Sequence, residues 1–515
     1  MKHVHLTDRT RILWLGAILF ILEAGWVLRA SIPRLLAQAN ADDFYYYLVL
    51  AKNMAAGLGP TFDGVELTNG FHPLYLLLLT LLAQLPVQNP AFLIKAGLLL
   101  LLGFHNGTGI MLGLGFWQAG QRTAGWLAAL MWLLNPWALA ITLHGVEVPI
   151  SASLWCLVIL LLYHQRTGLS SKRAMLIGGL VGLAILARTD AIFLLGAIGL
   201  TNLYRSWQSR RSWQSRQNRV AIIWETTLIS SVAILVTLPW WFWNWHYFNT
   251  IAQVSGKAVF LGAHGFDWQQ AEVIIPKVGQ AVLGYGSRLL LYCALPLLVL
   301  LFLQWKKRYL SPTPALSVSH PLIDLDFAWL AALILAVWYA GWQWHIQNWY
   351  LLNTMLVVTI LVAHTWSKST VGQTMENLYQ AFGVLLLVSF IFLFGFYQLG
   401  GFGFPRQARG YHIALWLNDN IEREAVIGVW NSGIIGYFSH NRVINLDGVV
   451  NNSVYAYRVE NRVTDVMGLM PYIQAAGIDY LTDYEFIYFA QPEAMGLTER
   501  YLSPDYDFRV YQLLK

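Results

Sequence analysis

Apolar runs of membrane length recur along most of this 515-residue chain, and no other feature limits its folding as tightly. A hydrocarbon core about 30 Å thick takes about 20 apolar residues as a helix. Inside lipid the backbone must satisfy its own hydrogen bonds. The recurrence predicts a polytopic α-helical membrane protein of about eleven transmembrane helices. Only 12% of the residues are charged, against about 25% in soluble domains. The net charge of +6 is no nucleic-acid signal, because Lys and Arg gather in short loops between apolar runs.

The first expected span is 12–31. A polar loop, 32–72, follows with a surface helix. Residues 73–86 are apolar but short and end at Pro86 and Pro90, so they read as a short or re-entrant helix. Further spans are expected near 91–117, 125–143, 149–163, 174–187, 191–204, 220–245, 281–303, 326–343, 349–366 and 380–402. Arg122, Arg166 with Lys172 and Arg173, the basic stretch 205–219 and Lys306-Lys307-Arg308 mark cytoplasmic loops. That parity puts the N-terminus inside. It puts Asp42-Asp43, His144–Glu147, Arg188–Asp190, the loop 246–280 and Trp344-His345 outside. Cys156 and Cys293 lie in apolar runs and read as small core residues. The tandem Arg-Ser-Trp-Gln-Ser-Arg of 205–216 reads as a topological signal and not as nucleic-acid binding.

Composition changes near 403. Strands are expected near 425–430, 443–446, 479–482 and 508–513, with helices near 409–420 and 467–476. The expected domains are thus a membrane domain, 1–402, and an external α/β domain, 403–515. No nucleotide fingerprint occurs there, and Gly433 and Gly436 match no motif.

The polar residues stranded between apolar runs are the candidates for chemistry. Asp42 and Asp43 precede Phe44-Tyr45-Tyr46-Tyr47. One Asp suffices to cap the helix that follows, worth about 1 kcal/mol. The other is then available as a general base for an acceptor hydroxyl. Asn69 and His72-Pro73 close the same loop. Glu147 reads either as a solvated loop acid or as part of the site. Arg188 and Asp190 either pair with one another or turn toward a cavity, where Arg188 would meet a phosphate. Lys257 and Arg288 are the other phosphate candidates. Trp342, Trp344, His345, Trp349 and Tyr350 form an aromatic group suited to the interface or to sugar stacking. No Cys/His spacing points to zinc. A divalent cation, Ca²⁺ or Mg²⁺, would draw on Asp42, Asp43 and Glu147.

These motifs together resemble the GT-C superfamily of integral-membrane glycosyltransferases. That superfamily includes the protein O-mannosyltransferases, the aminoarabinose transferases of lipid A and the terminal arabinofuranosyltransferases. Asp42, Asp43, His72, Pro73 and Leu74 match its first-loop acid pair and following His-Pro step. His144-Gly145-Val146-Glu147 and Leu186-Ala187-Arg188-Thr189-Asp190 are similar to two further motifs, and Asn249-Thr250 with Lys257 to a third. Val146 stands where Met or Leu is usual, and the step from Asn249-Thr250 to Lys257 is longer than the family's.

The resemblance implies a multi-pass protein of a bacterial-type plasma membrane. It implies a polyprenyl-phosphate sugar as donor and a glycan, lipid or protein hydroxyl as acceptor, with cell-envelope assembly as the setting. Asp42 matches the catalytic acid and Asp43 its companion. A transporter or flippase of lipid-linked sugars is the other class; it usually carries an inverted repeat, and none is visible.

Overall fold

The computed structural model describes residues 8–87, 89–164, 169–208, 213–260, 325–342, 347–367, 405–463, 466–483, 492–493, 496–503 and 508–514. The apolar runs become α1 (Asp8–Arg29), α2 (Ile32–Gln38), α3 (Asp42–Ala55), α4 (Pro73–Ala83), α5 (Pro90–Gln118), α6 (Arg122–Leu133) and α7 (Pro136–Leu143). They continue as α8 (Val148–His164), α9 (Ser171–Ala187), α10 (Ile192–Gln208), α11 (Trp213–Phe248), α12 (Val254–Phe260), α13 (Asp326–Trp342) and α14 (Leu352–Ser367). Proline opens α4, α5 and α7, at positions where its missing N–H goes unused. Asn89 and Asn135 cap α5 and α7 by accepting from backbone N–H groups.

Three described helices are long and apolar enough to cross a membrane: Arg9–Arg29, Pro90–Gln118 and Arg219–Phe248. The pair α6 and α7 makes a fourth if counted as one span, bent by 46° where Pro136 interrupts it. Further helices, including α8, α13 and α14, are apolar but shorter. The chain is an integral membrane protein on this pattern. The expected spans at 281–303 and 380–402 lie outside the described residues. At 11 residues, α4 reaches about 16 Å, about half a hydrocarbon core.

The C-terminal part holds α15 (Pro405–Asn420), β1 (Val426–Val429), α16 (Gly433–Phe438), β2 (Arg442–Asn445), α17 (Asn452–Glu460), α18 (Met470–Ala475), β3 (Tyr480–Asp483), β4 (Leu497–Leu502) and β5 (Arg509–Leu513). The sheet order is β2-β1-β3-β5-β4. β1 pairs in parallel with β2 and β3, while β5 runs antiparallel to β3 and β4. The sequence does not announce β4, because this edge strand exposes Glu499 and Arg500, as edges often do. Nor does it announce α16, six residues long with two glycines.

The expected surface helix is instead buried. From Phe44 to Ala51 every residue of α3 is buried, which a helix apolar on all sides requires. One apolar cluster runs from Leu35, Phe44, Tyr45 and Tyr75 into Ile413, Leu417, Ile434 and Tyr437. α3 therefore lies between the helical bundle and the C-terminal part, and its two sides meet different surroundings.

Candidate active site

The chain entering α3 is stitched to the loop between α7 and α8. Ala41 N–H donates to the His144 carbonyl at 3.0 Å, and Asn40 Nδ2 donates to the Leu143 carbonyl at 2.9 Å. His144 Nδ1 lies 2.8 Å from the Ala39 carbonyl. Gly145 turns with φ +85°, a left-handed conformation that side chains disfavour. Its carbonyl accepts from Tyr75 OH at 2.7 Å. Ala41 is the N-cap of α3, with no side-chain cap bond. Neither Asp42 nor Asp43 fills the expected capping role for its own helix. Both sit in its first turn, where the helix dipole favours negative charge.

Successive helical residues diverge by about 100°. Asp42 thus shares a face with Tyr46, and Asp43 shares another with Tyr47. Asp42 is buried and accepts from Gly433 N–H at 3.0 Å and Ile434 N–H at 2.8 Å. Burial pushes its carboxyl up to about 7 against the pull of those donors, and the charges of Asp483 and Asp447 add to the rise. Asp447 is itself tied to Tyr46 OH at 3.3 Å and to Val449 N–H at 2.7 Å, and burial pushes it up to about 6.

Asp43 is exposed, although protein crowds around it on several sides. Among the described residues its carboxylate has no hydrogen-bond or ion-pair partner. Removal from bulk water pushes it up to about 7. Asp42, Asp447 and Glu147 raise it further, and Arg188 opposes them.

Beyond Asp43 lies a connected polar network. Arg188 donates from Nη1 to Glu147 Oε1 at 2.5 Å, from Nε to Asp190 Oδ2 at 2.6 Å and from Nη2 to Tyr339 OH at 2.9 Å. Tyr339 OH also donates to Asp190. Tyr350 lies under the guanidinium, 4.8 Å from ring centroid to Cζ, and stacks on Tyr339. Tyr47 OH donates to Glu147 Oε2 at 3.2 Å and accepts from His72 N–H at 3.2 Å. His72 Nε2 lies 3.5 Å from Glu147 Oε1 and 3.4 Å from Gln253 Nε2. Burial lowers the pKa of His72. Glu147 is buried and Asp190 half-buried, two carboxyl groups against one guanidinium. Such a pair is stable only when its remaining lone pairs are bonded, and the tyrosines supply part of that.

The structure therefore brings Asp43, His72, Glu147, Arg188, Asp190 and Tyr350 into one neighbourhood. Arg188 takes the internal pairing, not an open position. Asn69 lies elsewhere, buried, donating to Asn244 Oδ1 at 2.9 Å and accepting from Val254 N–H and Asn452 Nδ2 at 3.0 Å each. It is a knot between loops. Lys257 lines a cavity of about 600 Å³ with Asn249, Thr250, Asn452 and Tyr455. Its Nζ donates to Thr250 Oγ1 at 2.6 Å, and partial burial lowers its pKa. Arg288 and His345 lie outside the described residues.

A divalent cation on Asp42, Asp43 and Glu147 would find these carboxylates already committed or apart. Among the described residues no three His, Cys, Asp or Glu side chains gather as a metal site. Glu147 is held by Arg188 and Tyr47, and Asp42 by backbone N–H groups.

Sequence reasoning missed Tyr47, Tyr339, Gln253 and Asp447. Tyr47 was within reach, since it stands four residues after Asp43. The others come from distant segments without a motif.

Residues 404–511 match a family model described as a domain of unknown function (DUF8728). No curated protein matches the chain in sequence. Among solved structures, ArnT from Cupriavidus metallidurans bound to undecaprenyl phosphate aligns over 97% of this chain and 97% of its own, at 12% identity and TM-score 0.59. Its apo state aligns equally far, at 13% identity and TM-score 0.58. The archaeal oligosaccharyltransferase AglB from Archaeoglobus fulgidus, in complex with an inhibitory peptide and a dolichol-phosphate, aligns over 97% of this chain and 74% of its own. Its identity is 11% and its TM-score 0.54. A likeness this distant in sequence is one of fold. From bundle to C-terminal sheet, this chain has the GT-C fold of integral-membrane glycosyltransferases.

Proposed function

We propose that this protein is an inverting glycosyltransferase. It moves a sugar from a polyprenyl-phosphate donor to an acceptor hydroxyl on the outer face of the membrane, in cell-envelope glycan or glycolipid assembly. The observation that carries this reading is the exposed carboxylate of Asp43, without a hydrogen-bond partner among the described residues, beside the Glu147–Arg188 network, in a fold whose solved examples hold undecaprenyl phosphate and dolichol-phosphate.

Asp43 replaces Asp42 as the base in this reading, because both Asp42 oxygens are occupied by backbone donors. Asp43 takes the proton of the acceptor hydroxyl as that oxygen attacks the anomeric carbon. The bond from the anomeric carbon to the phosphate oxygen breaks, and its electron pair leaves with the lipid phosphate. One displacement inverts the anomeric centre. Lys257, bonded among the described residues to the Thr250 hydroxyl and facing the cavity, supplies positive charge for the departing phosphate. Arg288 is placed with it on the resemblance alone. Arg188 fixes Glu147 and Asp190 at the wall of the site. The expected orientation has the N-terminus cytoplasmic and the C-terminal part outside, with about eleven spans.

The test uses full-length protein in detergent with a panel of short-chain polyprenyl-phosphate pentoses and hexoses. Mass spectrometry of the lipid retained by Asp43→Asn identifies the natural donor. Formation of a glycosidic bond by the wild type, lost in Asp43→Asn, supports the reading. Donor that is bound but never consumed would make the protein a carrier of lipid-linked sugars instead.

A further inference from the structure

The C-terminal part touches α3 at its most sensitive point, the turn that carries both acids. Gly433 and Ile434 present their N–H groups to the two oxygens of Asp42. Backbone donors have no rotamers to lose, so the pair fixes the plane of that carboxylate and the first turn of α3 with it. Position 433 must be small for this. A Cβ there would lie 2.3 Å from the Asp42 carbonyl oxygen and 3.0 Å from its carboxyl.

Neighbouring contacts join the same two regions. Ser432 N–H donates to Tyr46 OH at 3.4 Å, and Tyr46 OH donates to Asp447. Thr68 Oγ1 donates to Asn452 Oδ1 at 2.8 Å, and Asn452 Nδ2 donates to Asn69. A Cβ on Gly70 would fall 2.0 Å from the Val449 carbonyl oxygen. Arg442 pairs with Asp63 at 2.5 Å. The seam therefore follows the first loop from the acids as far as Gly70.

We propose that the C-terminal region is a working part of the reacting centre, in which the backbone amides of Gly433 and Ile434 hold Asp42 and thereby aim Asp43. Gly433 is then a positioning residue, and the role of the matched domain is to clamp the first loop. The inference rests on the reading of Asp43 as base. Asp42 also acts on Asp43 through its charge. The groups facing Asp43 are Asp42, Asp447 and Glu147 on the negative side, Arg188 on the positive side and the Tyr350 phenol.

The experiment compares Gly433→Ala with wild type as full-length protein in detergent. Binding of undecaprenyl phosphate is read separately from kcat on whichever panel donor the wild type consumes. The expected result is a kcat about 100-fold lower, the cost of misplacing a reacting group by about 1 Å, with undecaprenyl phosphate binding unchanged. Arg442→Gln, in the same seam but away from Asp42, should keep its kcat. A folded Gly433→Ala protein with wild-type kcat overturns the proposal.

Should Gly433→Ala aggregate, Asp42→Asn decides. It matches Asp42 in size and removes the charge, at the cost of one of the two backbone bonds because an amide offers a single acceptor oxygen, so the midpoint of the acid limb of the pH–rate profile must move to lower pH. An unmoved midpoint overturns the proposal. Wild-type transfer by Asp43→Asn would sink the assignment of Asp43 as base, on which this inference rests. An inactive Asp43→Asn beside a normal Gly433→Ala would sink this inference alone.

Discussion

Asp42 and Asp43 are neighbours in sequence and opposites in surroundings. Asp43 faces the side chains of Glu147, Arg188 and Tyr350, and through them a network that takes in Asp190, His72, Tyr47 and Tyr339. Asp42 looks toward backbone, with two amides and a glycine against it. Side chains can change their proton or partner as a substrate arrives, whereas amides cannot. One turn of helix thus places a mobile chemistry on one side and a fixed anchor on the other.

The sharpest way to break this contrast is Asp43→Asn. Transfer should fall about 10³-fold, measured as glycoside formed per minute. In the wild type the rate should rise with pH through about 7, because the base acts only when deprotonated and its carboxyl is held near that value. Asp42→Asn should cost less than Asp43→Asn. The reverse order would exchange the two roles.

Arg188→Met comes next and strikes the side-chain region. It takes the guanidinium from Glu147 and Asp190 and leaves them to the tyrosines and His72, at a cost of about 3–5 kcal/mol, visible as a lower melting temperature in detergent. Adding Glu147→Gln should recover part of that loss, since the coupled residues are not additive. An unchanged melting temperature in the single variant would show the network to be solvated.

Lys257→Met should weaken undecaprenyl phosphate binding about tenfold, about 1.4 kcal/mol, with a smaller change in kcat. Equal binding in a titration would remove Lys257 from the phosphate site. The smallest effect belongs to the seam's rim. Arg442 is 36% exposed in its pair with Asp63, so Asp63→Asn should cost less than about 1 kcal/mol. A larger shift in melting temperature would mean that the clamp depends on this ion pair.

The side-chain region was the more legible one. His72, Glu147, Arg188 and Asp190 stand out because a charged or polar residue between apolar runs is costly and needs a reason. Their convergence could be expected from charge parity along the chain. The anchor left no such trace. Asn431-Ser432-Gly433-Ile434 reads as an ordinary turn, and backbone amides are the same in every sequence. The helix carrying the acids was misjudged for a related reason. The apolar run 44–51 is compatible with a membrane surface, and only the packing of Ile434 and Tyr437 against it makes it interior.

The sequence alone determined the membrane class, the mixed α/β character of the C-terminal part and the short set of polar residues worth watching. Those follow from local quantities, hydrophobicity and charge per stretch of chain. Tertiary structure decided which of two adjacent carboxylates is held by backbone amides and which has no hydrogen-bond partner among the described residues. That choice depends on which side of one helical turn meets backbone donors from nearly 400 residues away, and on a glycine that lets them approach.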